Sequence, residues 1–302
     1  MTATGCMSST SGPDPLTLSW MATPVGIGRP PDTGSCGGQC DLYRATSGPR
    51  SIGRLQTMRL DRWWLRPLEA ALFLGGISAY ATWAALQTKY YATGSYISPL
   101  YSPCIASSCG THATIALIGG WWRWSPALLV VAAPVGVRAT CYYYRKLYYR
   151  SFWLSPPACA VVDPHQTYSG ESRFPLVLQN AHRYFWMLSI LVAIMLTVDS
   201  VMAFRQPGGI GLGLGTVLLT CNAVAFWAYV LSCHAFRHLV GGGLRSFSGN
   251  RMRHGVWRVA SALNRRHGLF ALVSLPFVVI TDGYVRLVAS GTIADPHLVF
   301  MH

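Results

Sequence analysis

RATCYYYRKLYYRSFWLSPPACAVVDPHQTYSGESRFPLVLQNAHRYFW, residues 138–186, joins two apolar segments and decides how the chain is read. It holds Cys141, Cys159, His165 and His182 among tyrosines, tryptophans, five arginines and Lys146. Rings and cations together at the end of an apolar segment are what a membrane–water boundary selects. The cysteines and histidines are not needed for that role, and they mark a candidate site.

Composition agrees with a membrane reading. Of 302 residues, 51% are hydrophobic and 11% charged, where a soluble domain carries about 25% charged residues. Length is therefore counted in spans of roughly 20 apolar residues. Five candidates stand out, at about 67–87, 125–144, 184–204, 210–232 and 269–289. Gly, Ala and Ser are scattered through them where helices could approach closely, and Pro134 and Pro276 are tolerable as kinks if neighbours satisfy the freed carbonyls. The expected fold is an all-α membrane protein, five transmembrane helices in a bundle over residues 58–302.

Charge orients the bundle. The net charge is +14, which in a soluble protein would suggest nucleic acid. Here five basic residues lie between Arg50 and Arg66, six between Arg138 and Arg183 and seven between Arg237 and Arg266, against Lys89, Arg123, Arg205 and Arg286 in the opposite loops. The positive-inside rule then puts the N-terminus in the cytoplasm and the C-terminus outside. No nucleic-acid partner is needed.

Residues 1–57 are rich in Ser, Thr, Gly and Pro and are expected to be a disordered tail, in which Cys36 and Cys40 have a spacing too common to signify a metal site. Trp63 and Trp64 set the depth of the first span. In the first outer loop, Cys104 and Cys109 are expected as a disulfide or two structural thiols, in preference to a metal pair completed by His112. Asp199, Asp282 and Arg286 fall near outer span ends, where they are expected to reach water.

The cytoplasmic boundary gathers the chemistry. Cys141 follows the second span, Cys159 ends a proline-stiffened loop, His182 opens the third span, and His234 and His238 share a helical face after the fourth. His267 reads as a boundary anchor or a further ligand. The basic connection over 237–266 is suited to anionic lipid or a soluble partner. Ligands at membrane depth are costly and call for a function. Two thiols and two imidazoles suit a Rieske-type 2Fe-2S cluster; paired histidines suit a b-type haem; zinc could take the same set. The paired C-x-H and C-x-x-H signature is absent from the sequence, and no Ser/His/Asp set, phosphate loop or carboxylate pair stands out.

At LDRWWLRP (60–67), TCYYYRKLYYRSFWLSPPACAV (140–161), GESRFPLVLQNAHRYFW (170–186), SCHAFRHLVGG (232–242), NRRHGLFALVSL (264–275) and TDGYVRLVASG (281–291), the chain resembles the five-helix, cytochrome b-like membrane anchor of actinobacterial succinate dehydrogenase, respiratory complex II. The resemblance implies a multi-pass plasma-membrane protein bound by a flavoprotein with FAD and by an iron-sulfur subunit, within a complex that can form higher oligomers. Succinate would be oxidised in another chain, with no catalytic residue here, and electrons would pass to menaquinone. Such anchors hold haem b or an embedded Rieske-type cluster, and the cysteines favour the cluster. Within that reading Cys141 and Cys159 take one iron, His182 and His238 the other, with His234 as substitute. Quinone is expected among Tyr144, Trp153, Ser155, Arg183 and Arg237. The rival outside redox chemistry is a transporter-like protein whose cysteines are merely packed.

Overall fold

The computed structural model describes residues 61–102, 125, 127–159, 161, 164, 172–174, 176–206, 208–243 and 246–301. The expected tail, its cysteines, Cys104, Cys109 and His165 lie outside them.

Eight α-helices are described: α1 Leu65–Gln87, α2 Ala127–Ala139, α3 Tyr142–Tyr148, α4 His182–Met202, α5 Leu214–Leu231, α6 His234–Gly241, α7 Arg251–Asn264 and α8 His267–Ala289. Three segments, Leu176–Met202, α5 and α8, are long and apolar enough to cross a membrane, and α2 with Tyr142–Trp153 makes a fourth if that bent pair is one broken span. At about 1.5 Å per residue α1 also has the length, though it is less apolar.

Burial is inverted relative to a soluble bundle. Only 33–44% of the apolar windows in the three straight spans is buried inside the chain. Large side chains such as Leu191, Val224 and Ile280 point outward, while Ser189, Thr216, Asn222, Ser274 and Thr281 are buried. Outward apolar faces and small polar residues between helices are what hydrocarbon solvent selects. α5 packs between α4 and α8, and α2 lies along α4. At that last contact Gly136 is required, because a Cβ there would lie 2.2 Å from the Phe185 ring.

Two expected spans are corrected. The span over 125–144 is not one rod. α2 stops at Ala139, Cys141 adopts extended backbone, and the chain bends by 80° into the next helix. Thr140 Oγ1 turns back to the Gly136 carbonyl (2.7 Å) and Arg138 Nη1 to that of Pro134 (3.1 Å), which satisfies carbonyls near the break. The span over 210–232 starts late. Gly209–Gly213 is a strand, paired antiparallel with Arg205–Gln206 and His297–Met301. Alternating glycines there favour no helix, so apolarity alone misled.

The C-terminal end of α8 corrects a third expectation. Asp282 and Arg286 do not reach water; they are 0% and 7% exposed. Arg286 Nε donates to Asp282 (2.8 Å), and its other nitrogens reach Gln87 Oε1 and the Lys89 and Ala84 carbonyls, tying α8 to the end of α1. Asp282 also accepts from Tyr80 (2.6 Å) and from Ser98. Asp199 is partly buried and accepts from Ser102.

Removing one member of a buried ion pair costs about 3–5 kcal/mol because its partner stays charged and desolvated. Asp282→Leu is therefore expected to lower the melting temperature of the detergent-purified protein by several degrees, and Asp282→Leu with Arg286→Met to recover part of the loss. An unchanged Tm in the single variant would contradict this account of the outer clamp.

Candidate functional site

The two buried cysteines occupy the same local position in two parts of the chain. Each follows a long helix and a hydroxyl residue, adopts extended backbone and opens a short helix: Thr140–Cys141 before α3 (φ −71°, ψ 133°) and Ser232–Cys233 before α6 (φ −65°, ψ 143°). The Arg145 amide donates to the Cys141 carbonyl (2.8 Å), and the Arg237 amide to that of Cys233 (3.3 Å). TCYYYR at 140–145 and SCHAFR at 232–237 are thus two copies of one turn. The histidines match as well: His182 and His267 are the first residues of α4 and α8, each three before a phenylalanine.

Contacts cross between the copies. His182 Nε2 meets Cys233 Sγ at 3.1 Å, and His267 Nε2 meets Cys141 Sγ at 3.5 Å. The other ring nitrogens meet the hydroxyls, His182 Nδ1 to Thr140 at 3.0 Å and His267 Nδ1 to Ser232 at 2.7 Å. A hydroxyl has one proton to give. Thr140 gives its proton to the Gly136 carbonyl and Ser232 gives its own to the Tyr229 carbonyl (2.9 Å). Both hydroxyls must therefore accept from Nδ1–H, so the bonding pattern assigns the ring proton to Nδ1 in each histidine. Each Nε2 keeps its lone pair, aimed at a thiol. That is the state in which imidazole binds a metal.

The surroundings are dry. Cys141, Cys233 and His267 are 2–3% exposed, and both cysteines belong to one core cluster with Tyr144, Trp186, Phe226 and Tyr229. Tyr229 stacks on His267 (5.1 Å between centroids, 14° between planes), and Tyr143 approaches the same ring edge-on at 5.3 Å. Burial pushes the Cys233 thiol up to about 12, with the nearby Cys141 adding to the rise. A metal that binds there must displace a proton.

The remaining sequence-predicted residues lie elsewhere. Cys159 is exposed beyond Pro156, and His234 and His238 are exposed on α6 with rings 4.4 Å apart in an edge contact. Tyr144 is buried, its hydroxyl donating to the Ala271 carbonyl (2.5 Å). Trp153 is half exposed against Tyr148 and Tyr149, and the Ser155 amide donates to the Tyr149 carbonyl. Arg183 lies over the Tyr184 ring (5.4 Å) and Arg237 over that of Trp257 (5.1 Å). Sequence reasoning passed over Cys233 and gave His267 only a minor part. The repeated hydroxyl–Cys–x–x–x–Arg pattern was the available signal for Cys233, and His–x–x–Phe, shared with His182, the signal for His267.

Among the described residues no three His, Cys, Asp or Glu side chains converge to hold a single metal ion. The set is two thiols and two imidazoles in two contact pairs.

Comparison with known proteins follows the same stretch of chain. The family model for actinobacterial succinate dehydrogenase subunit SdhC matches residues 65–291. A chain of the solved Mycobacterium smegmatis Sdh1 complex in the apo form is 43% identical, with a TM-score of 0.72, over 84% of this chain and 98% of that one. The comparison with curated proteins found no match.

The tautomer assignment is testable in the metal-free protein. Nitrogen-15 spectra of labelled histidine are expected to show Nδ1–H rings for His182 and His267. Thr140→Val should shift His182 alone and Ser232→Ala should shift His267 alone, at about 1–3 kcal/mol each for a buried donor left unpaired. Nε2–H rings in the unsubstituted protein would overturn the assignment.

Proposed function

We propose that this chain, which belongs to the family of actinobacterial succinate dehydrogenase subunit SdhC, carries electrons through a Rieske-type 2Fe-2S cluster held by Cys141, Cys233, His182 and His267. As the membrane subunit of succinate dehydrogenase it partners the flavoprotein and iron-sulfur subunits, with quinone and the bilayer. The observation that carries the reading is the crossed pair of Cys–His contacts at 3.1 and 3.5 Å.

The donor set fits the group. A single zinc would need its donors to meet at one point, whereas two irons ask for two pairs of ligands. Exchanging the two copies of the turn exchanges Cys141 with Cys233 and His182 with His267. Each contact pair joins one thiol to one imidazole; a Rieske-type cluster would regroup them, Cys141 with Cys233 and His182 with His267, and exchanging the two turns leaves both groups unchanged. The fit to haem b is poorer: a porphyrin needs space beside its axial imidazoles, and here thiols face both Nε2 atoms and Tyr229 covers His267. Cys233 and His267 therefore replace Cys159 and His238 in the proposed ligand set.

When bound, such a cluster accepts and donates one electron at a time. The chain's own part is to hold the ligands dry, fix both ring tautomers through Thr140 and Ser232, and keep water from the thiolates. Menaquinone is proposed as the acceptor, docked beside Trp153, Ser155 and Arg183 at the cytoplasmic boundary, with Tyr144 inside and Arg237 beyond. The charge asymmetry of the loops supports α1 as a fifth crossing, with the N-terminus cytoplasmic and the C-terminus outside.

Cys141→Ser and Cys233→Ser are each expected to strip iron and acid-labile sulfide from the membrane subunit. They should lower quinone reduction by more than the roughly 10–100-fold that losing a supporting residue costs, while succinate oxidation with an artificial acceptor persists. Cys159→Ser and His238→Ala are expected to keep iron and activity. The opposite pattern would return the ligand role to Cys159 and His238. A Soret band with a reduced alpha peak would replace the cluster with haem, and neither iron nor haem would leave the thiols as packing.

A further inference from the structure

Arg138, the next-to-last residue of α2, is partly buried, and among the described residues no carboxylate pairs with it. Its Nη1 donates to the Pro134 carbonyl (3.1 Å) and its Nη2 to Ser274 Oγ (3.4 Å), while Nε is buried with no hydrogen-bond partner. The guanidinium lies over the rings of Phe226 (5.3 Å) and Tyr229 (5.2 Å). Aromatic faces offset part of the cost of a desolvated cation but do not neutralise it. A partly buried arginine at the membrane boundary, without a carboxylate partner among the described residues, is costly, and such groups are kept where a charge must be met.

Its position says which charge. The Tyr229 ring that carries Arg138 also stacks on His267, whose Nε2 meets Cys141, three residues after Arg138 in the chain. Aligning the two copies of the turn puts Val230 opposite Arg138. The repeat builds its turn without a cation in one copy, so the charge is not needed to shape it.

We propose that Arg138 is the standing counter-charge for the electron held at this centre, an inference that rests on the cluster reading above. One electron arrives from the iron-sulfur subunit, adds one negative charge beside Arg138, and leaves to quinone, which takes two electrons and two protons in all. The fixed positive charge of Arg138 in a low-dielectric setting favours the reduced form of the centre and makes the electron easier to accept.

The test is a potentiometric titration of the purified complex followed by electron spin resonance, with iron and acid-labile sulfide measured first. Arg138→Gln is expected to keep both and to weaken electron affinity about tenfold, a fall of 59 mV for one electron. Ser274→Asp leaves the arginine but supplies it with a carboxylate, and is expected to lower the potential in the same direction. Arg138→Lys, which keeps the charge, should shift it least. An iron-replete Arg138→Gln or Ser274→Asp complex with the unsubstituted potential would overturn the proposal, as would a lysine variant that falls as far as the glutamine one. If Arg138→Gln does not assemble, Ser274→Asp decides. Absence of iron and sulfide from the unsubstituted membrane subunit would instead remove the cluster reading, and this inference with it.

Discussion

An imidazole nitrogen with a free lone pair, buried against a thiol, is costly to place at the edge of a bilayer, and the end of the bundle holding Cys141 and Cys233 follows from doing so twice. Each lone pair is aimed by fixing the proton on the other ring nitrogen, and each proton is fixed by a hydroxyl already committed to a helix carbonyl. Those hydroxyls can reach the rings only because α2 and α5 end at Ala139 and Leu231, immediately before Thr140 and Ser232. The breaks in the helices and the orientation of the donors are one feature.

The opposite end of the bundle solves the opposite problem. There a carboxylate and a guanidinium are buried together with every close partner supplied by α1, the following loop or α8, so their charges cancel locally. Among the described residues Arg138 has no such partner. A chain that neutralises one arginine so fully and gives the other no carboxylate among these residues treats the two differently, and the second sits beside the candidate centre.

Much of this was legible in the sequence. Apolar length located four of the helical segments to within a few residues, and the span boundaries singled out Cys141 and His182, which the structure places in the two Cys–His contacts. Where the geometry departs from the sequence reading, the causes are local. In SCHAFRH the two histidines four apart drew attention from the cysteine before them, though their spacing presents both on an exposed face of α6. His267 looked like an anchor because boundary histidines commonly are; its burial against Tyr229 depends on packing from α5, which no local window contains. The glycine-rich start of the fourth span is apolar without being helical, since hydropathy does not register backbone preference. Buried charge at Asp282 and Arg286 likewise depended on α1 arriving beside α8.

The most direct test of the central claim is pulsed electron spin resonance on the reduced, purified complex carrying nitrogen-15 histidine. The account predicts an iron-sulfur signal coupled to two histidine nitrogens on one iron, with one coupling removed in His182→Cys and the other in His267→Cys. A signal without histidine coupling, or couplings untouched by both substitutions, would contradict it.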